Sequence, residues 1–299
     1  MQNNKLIVVL GPTASGKSEL AVKLARKFNG EVISADSRQV YQGMNIGSGK
    51  ITKKEMAGIL HHLLDVASPK RRFTVSQYRK LALKAIVKVF KRGKLPILCG
   101  GTGFYIQAVV DGLVIPEVKP DWKLRRELGK LTTEQLFCRL ETLDIHRAQN
   151  IDKDNRRRLI RALEIIIKTK KPIPLFKTYL FPYPILFIGI KKTKDELQQL
   201  IRKRLLKRLK QGMVKEVERL RQQGLSWKRL EEFGLEYRYV AQYLQKKIIY
   251  QAMTEKIQKE SEHFAKRQMT WFKRDQRINW IEDTKEAIKL LTNFLYSGV

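Results

Sequence analysis

LIVVLGPTASGKS, residues 6–18, is the stretch from which the fold of this 299-residue chain can be read. Leu6 to Leu10 form an uninterrupted apolar run, short enough for a strand buried on both faces. Gly11-Pro12-Thr13-Ala14-Ser15-Gly16-Lys17-Ser18 then matches the phosphate-loop pattern G-x-x-x-x-G-K-[ST]. In such a loop the glycines let the backbone wrap an anion, and amide N–H groups at the start of the next helix face the phosphates. The lysine adds a point charge and the hydroxyl reaches Mg2+. Residues 15–28, SGKSELAVKLARKF, read as that helix. The loop places a polyphosphate near Lys17 without saying which one.

On either side of this loop the pattern is α/β. Glu31 to Ser34 read as a second strand, Thr74 and Gln77 predict a capping box for a helix ending at Lys91, and Leu95 to Cys99 return as a strand. This alternation predicts a P-loop NTPase-like parallel sheet flanked by helices over residues 1–115. From about Pro116 the chain turns to charged helical segments, closed by Pro172, Pro174, Pro182 and Pro184, and residues 116–184 read as a helical insertion domain. Ile185 to Ile190 read as a returning strand. Residues 185–299 then continue the core, with long basic helices over 194–211, 213–223, 236–247 and 253–275 and a last short strand and helix.

Charge is the unusual property of the composition. Lys and Arg number 61 against 29 Asp and Glu, a net charge of +32. Such an excess attracts a polyanion, and nucleic acid is the commonest one. Arg156, Arg157, Arg158 and Arg161 concentrate it on little more than one helical turn. A membrane surface would also attract this charge, but no stretch approaches a span and the first apolar run is too short for a signal peptide. The 2 cysteines, Cys99 and Cys138, have no CxxC partner and read as packing thiols, which argues against a zinc module and for a reducing cytoplasm. His61 and His62 read as satisfied polar groups at a strand or turn.

In parallel sheets, ligands gather where strands end. The second strand runs into Ala35-Asp36-Ser37-Arg38-Gln39, so Asp36 should share a crevice with Lys17. It has three readings: a base or orienting group for an acceptor, a Mg2+ ligand through water, or a turn cap. The later strand ends in Cys99-Gly100-Gly101-Thr102-Gly103, with no acid where nucleotide hydrolases usually place one. The glycines there predict close approach of backbone to a ligand.

Taken together, GPTASGKS, ISADSRQVYQGMNIGSGK at 33–50, HHLLD at 61–65, GGTGFYIQAVVDGL at 100–113, RALE at 161–164 and AKRQMTWFKR at 265–274 resemble the tRNA dimethylallyltransferase family. The resemblance runs from about residue 5 to about 275. It implies transfer of a dimethylallyl group from dimethylallyl diphosphate to N6 of the adenosine beside the tRNA anticodon, at position 37, with Mg2+ as cofactor. It also implies that Gly11, Thr13, Ala14, Ser15, Gly16, Lys17 and Ser18 hold the diphosphate, Ser18 being the residue in the metal's shell. Asp36 resembles the group that bonds the attacking amine, and Thr102 the threonine beside it, so that Asp36, Thr102 and Lys17 form the catalytic set. Asp36, Ser37, Arg38, Gln39 and Thr102 match one tRNA-contacting stretch, and Arg157, Arg158 and Arg161 another. Tyr237, Arg238, Lys266 and Arg267 are further candidates for the RNA, whereas Trp271 and Phe272 read first as helix packing.

Two positions depart from the family pattern. Glu236 stands where a glycine is usual, with Gly234 two residues earlier. The family's two arginines four apart fall on Leu200 and Arg204, leaving Arg204 to take the diphosphate alone, or with Arg202, unless both are surface charges. The expected partners are the tRNA anticodon stem-loop and dimethylallyl diphosphate, with no membrane, and the expected state is a cytoplasmic monomer. Two other readings of the same loop compete, an ATP-dependent small-molecule kinase and a noncatalytic P-loop RNA-binding protein. The kinase gives the +32 charge no purpose, and the binding protein gives none to Asp36 facing Lys17.

Overall fold

The computed structural model describes residues 4–112, 118–173 and 181–296. Its strands are Leu6–Leu10 (β1), Gly30–Ser34 (β2), His61–His62 (β3), Leu95–Gly100 (β4), Ile185–Ile190 (β5) and Ile278–Ile281 (β6). They pair in the order β3-β2-β4-β1-β5-β6, every neighbour parallel. The phosphate-loop strand β1 is therefore central, between β4 and β5. The returning strand at 185–190 joins the same sheet, as its apolar run predicts.

Side-chain alternation explains why the strands are apolar throughout. Leu6, Val8 and Leu10 of β1 enter one core with Ile33, Leu98 and Phe187, while Ile7 and Val9 enter the opposite one with Val32, Ile97 and Ile188. A strand covered on both faces has no solvent side to make polar. The Val75–Lys91 helix covers the first face through Tyr78, Ala82, Ile86 and Val89. The Lys17–Lys27 and Thr284–Tyr296 helices cover the second through Leu20, Leu24, Ala287 and Leu291.

Helix starts obey local chemistry. Thr74 and Gln77 make the expected reciprocal capping box, and Thr193 and Glu196 make another at the head of the Lys194–Lys210 helix. The basic helices expected downstream run Met213–Gln222, Leu235–Leu244 and Tyr250–Phe272. A short helix, Trp227–Glu232, lies between the first two of them.

The chain divides into two compact units, one of Met1–Val110 with Phe181–Val299 and one of Asp111–Leu180. The sequence places the insertion at 116–184. Its first boundary, at 115/116, and Pro174 lie outside the described residues. The chain leaves the sheet where the Gly103–Val110 helix stops, and Phe181 N–H returns to Val110 O at 3.4 Å. The second unit has its own core of Leu128, Leu136, Leu140, Leu159, Leu163 and Ile166. Within it the buried Glu164 accepts a two-pronged bond from Arg125 (2.8 and 2.6 Å) and one from Arg161 (2.5 Å).

Candidate active site

The phosphate loop leaves β1 at Gly11 and enters the Lys17–Lys27 helix through Gly16, whose φ is 91°. Ala14 also lies in the left-handed region, at φ 65°, where a side chain is strained. No side chain caps the helix. The N–H groups of Ala14, Gly16, Lys17 and Ser18 make no hydrogen bond among the described residues, a donor set that suits an anion. Thr13 differs from them. Its N–H donates to Gln268 Oε1 at 2.8 Å, and its hydroxyl accepts from Arg204. Ser15 N–H turns back to Pro12 O at 3.3 Å. Its hydroxyl is buried without a partner among the described residues.

Lys17 Nζ donates to Pro12 O at 3.1 Å. Burial, then Arg204 and to a smaller degree Arg208, pull its pKa down to about 8, against the opposing effects of Cys99 and Asp36. Arg204 is likewise pulled down by burial and by Arg208, with Glu236 and Asp36 opposing. A guanidinium keeps its charge at neutral pH even so. Lys17 and Arg204 thus meet at the loop, with Arg208 close enough to act electrostatically on both.

Asp36 and Thr102 meet at the ends of β2 and β4. Asp36 Oδ1 accepts from the N–H groups of Arg38 (2.8 Å) and Gln39 (3.3 Å), which is the turn-cap reading. Oδ2 makes no hydrogen bond among the described residues, so the capping leaves one carboxylate oxygen for an acceptor. Thr102 Oγ1 accepts from Ser37 N–H at 3.0 Å, and Thr102 N–H donates to Ala35 O at 3.1 Å. These bonds fix the two turns against each other. At Gly101 a Cβ would stand 2.3 Å from Gln268 Nε2, so any larger residue would have to move the Gln268 carboxamide.

The loop after Asp36 is anchored by residues that sequence reasoning misses. Glu216, almost fully buried, accepts from Asn45, Ile46 and Gly47 N–H groups (2.9, 2.7 and 3.0 Å) and from Tyr237 Oη at 2.9 Å. Gln39 Nε2 donates to Gly49 O at 3.1 Å. The Arg208 guanidinium lies against Gly49, where a Cβ would approach it to 1.6 Å. Glu236 Oε1 accepts from Arg208 at 2.8 Å with both side chains largely buried. The acid at the glycine position therefore balances an arginine in the crevice.

Several site residues fall elsewhere than expected. Tyr237 is 1% exposed and bonded to Glu216 and to Ser48 N–H, so it holds the loop and has no surface for RNA. Arg208, one turn beyond Arg204, also reaches the crevice, where it acts on Lys17 and Arg204. Leu200 is 37% exposed, and Arg202 lines a surface groove with Gln198, Gln258 and Glu262. Arg161 and Gln39 are committed to internal partners, Arg161 also donating to Val118 O at 3.0 Å. Arg38 reaches Phe233 O at 2.7 Å, and Arg238 reaches Glu231 O at 3.2 Å. Lys266 and Arg267 are exposed on their helix, as are Arg157 and Arg158 in the second unit. Phe272 is core, while Trp271 is 36% exposed. Cys99 is buried with its thiol pushed up to about 12, whereas Cys138 is exposed and is no packing thiol. For the helical residues among these, phase in the helix decides the outcome, and charge alone does not reveal phase.

The model of a known family, IPP transferase, matches residues 39–275. The chain belongs to the IPP transferase family. It is 38% identical over 298 residues to the tRNA dimethylallyltransferase of Carboxydothermus hydrogenoformans, covering 97% of this chain and 96% of that one. Among solved structures it resembles the tRNA isopentenylpyrophosphate transferase of Bacillus halodurans, at 34% identity and a TM-score of 0.73, over 98% of this chain and 96% of that one. It also resembles a eukaryotic dimethylallyltransferase acting on tRNA, at 25% identity and a TM-score of 0.84, over 98% of this chain and 80% of that one. Membership of the IPP transferase family makes the chain a prenyl-transferring, tRNA-modifying enzyme. No helix among the described residues is long and apolar enough to cross a membrane.

Proposed function

We propose that this enzyme transfers the dimethylallyl group of dimethylallyl diphosphate to N6 of adenosine 37 in the tRNA anticodon loop, releasing diphosphate, as a cytoplasmic monomer. The observation that carries this reading is the pairing, in one unit, of a purely cationic and amide phosphate cradle with Asp36 and Thr102 at the neighbouring strand ends. An allylic diphosphate needs its leaving group neutralised. Lys17, Arg204 and the free amides of Gly16, Lys17 and Ser18 supply fixed positive charge and dipoles for this.

The exocyclic amine of adenine is a weak nucleophile, because its lone pair is delocalised into the ring. Asp36 Oδ2 accepts a hydrogen bond from it, and takes its proton as the C–N bond forms and the C–O bond to diphosphate breaks. Thr102 holds Ser37 and thereby the turn that carries Asp36. The base must leave its stack to reach the crevice, as with other base-modifying enzymes. Exposed Arg157, Arg158, Lys266 and Arg267 supply cations for the RNA phosphates.

The donor set also suits Mg2+ in a particular way. Among the described residues no cluster of three or more His, Cys, Asp or Glu exists that would cage a metal. Ser18, exposed at the head of the helix, offers a hydroxyl, and diphosphate oxygens and water would complete the shell, the usual manner for Mg2+. Bound there, the ion would add positive charge for the leaving diphosphate.

The test is transfer of radiolabelled dimethylallyl from its diphosphate to an anticodon stem-loop with adenosine at position 37. Asp36→Asn keeps an oxygen for the turn and removes the proton acceptor, so turnover should fall about 10²–10⁴-fold with RNA binding retained. An Asp36→Asn variant with full turnover would overturn the assignment, and transfer to no such RNA would overturn the reaction.

A further inference from the structure

Gln268 lies in the Tyr250–Phe272 helix and is only 6% exposed. Its carboxamide uses both ends. Oε1 accepts from Thr13 N–H of the phosphate loop at 2.8 Å, and Nε2 donates to Gly101 O, in the turn that carries Thr102, at 2.7 Å. One side chain thus joins the donor cradle to the acceptor turn. The orientation of the amide is fixed by chemistry, since a flipped amide would set donor against donor and acceptor against acceptor.

We propose that Gln268 is a positioning residue for the reaction, setting the separation between the phosphate loop and the Gly101–Thr102 turn. The inference rests on the function proposed above. Three features show that the link is a built one. The Thr13 amide is withdrawn from the anion-facing set, and Arg204 seizes the Thr13 hydroxyl, so Thr13 is held from two helices. Gly101 leaves room for the carboxamide, which a Cβ there would push out of place. Three residues further along the same helix, Trp271 packs on Gly103, where a Cβ would stand 2.4 Å from the indole. The helix therefore grips both sides of Thr102 while its Lys266 and Arg267 face solvent. A shift of the phosphate loop against that turn would move the diphosphate relative to Asp36, and misplacement by about 1 Å can cost about 10²-fold in rate.

The test uses the full chain and two variants. Gln268→Met keeps the volume and removes both bonds, leaving the Thr13 N–H free to swing. We expect the Kd of inorganic pyrophosphate, read by calorimetry, and the KM for dimethylallyl diphosphate to rise about tenfold or more, while the KM for the stem-loop stays within about twofold. Gln268→Glu keeps the bond to Thr13 but sets a carboxylate against Gly101 O and near Lys17. Lys17 from its helix, Arg204 and Arg208 from the Lys194–Lys210 helix, and Asp36 and Cys99 at the ends of β2 and β4 are the charged and titratable groups around this point. The added negative charge should weaken pyrophosphate binding further than Gln268→Met does, with the KM for the stem-loop again unchanged. Unchanged pyrophosphate affinity in Gln268→Met overturns the proposal. So does an equal rise in both KM values with a lowered Tm, which marks a role in folding only. Pyrophosphate affinity is measured without turnover, so a wild-type enzyme that binds it and transfers nothing refutes the reaction and leaves the role of Gln268 to be read from the variants' affinities.

Discussion

The protonation of Lys17 should set the upper pH limit for donor binding. Its folded pKa lies at about 8 against an ordinary 10.5, mainly from burial and the charge of Arg204. A diphosphate raises that pKa, so a ligand that meets neutral Lys17 must draw a proton from the buffer as it binds. With half of Lys17 neutral at pH 8, uptake per ligand is about 0.5 proton there, about 0.9 at pH 9 and about 0.1 at pH 7. The Kd accordingly rises about tenfold between pH 7 and pH 9, or about 1.4 kcal/mol. Calorimetry with dimethylallyl diphosphate in two buffers of different ionisation enthalpy measures the uptake. Lys17→Arg keeps its charge across this range, so the difference between it and the wild type removes the ligand's own titration. For the ligand-free protein the sign reverses. The unfolded chain binds more protons between about pH 8 and 10.5, so the Lys17 contribution to stability rises with pH across that window. Equal proton uptake by wild type and Lys17→Arg at pH 9 would refute the reasoning.

Buried and strained groups make three further outcomes testable. Glu216→Gln sets an amide NH2 against two of the donors that now face a carboxylate, whichever way it turns. It should cost about 3–5 kcal/mol in urea unfolding, and a loss under about 1 kcal/mol would show that the loop is held otherwise. Ala14→Gly relieves the left-handed strain and should change stability by no more than about 1 kcal/mol, whereas Ala14→Val, measured by the same unfolding curves, should destabilise. Maleimide labelling with mass spectrometry should modify Cys138 and spare Cys99, because Cys99 is buried with a thiol pushed up to about 12. Labelling of Cys99 in the folded state would mean that the crevice opens.

Legibility in the sequence depends on how local the physical cause is. The strand at Leu6–Leu10, the phosphate loop and the Thr74 capping box are set by neighbours within about one turn, and they stand where the residues say. Asp36 and Thr102 are legible for a different reason: parallel strands end on the same side, so the turns at those ends share a crevice. Arg208, Glu216 and Gln268 are not legible, because each acts on a segment far away in the chain. Gln268 stands inside AKRQMTWFKR, yet its neighbours Lys266 and Arg267 carry the charge that points the reading toward RNA. The helix turns 100° per residue, so it shows those two to solvent and Gln268 to the phosphate loop.

Glu236 shows how a departure from a family pattern can be resolved. An acid at a glycine position beside the proposed diphosphate site looks unfavourable, since it adds negative charge where the proposed reaction binds negative charge. Its carboxylate, however, faces Arg208, which in turn lies near Lys17 and Arg204. Three cations close together without a counter-charge would repel one another and make Lys17 lose its proton more readily, which would weaken the cradle as surely as an extra anion. Glu236 balances one of them at 2.8 Å while Arg204 and Lys17 keep their charge for the ligand. The same pairing explains the neighbouring tyrosine. With Glu236 and Tyr237 both facing inward from the first turn of the Leu235–Leu244 helix, one binds Arg208 and the other binds Glu216, and together they brace the loop that Asp36 leads into. Glu236→Gly would restore the usual residue and leave Arg208 without its counter-charge. The family pattern at that position is therefore not transferable to this chain one residue at a time.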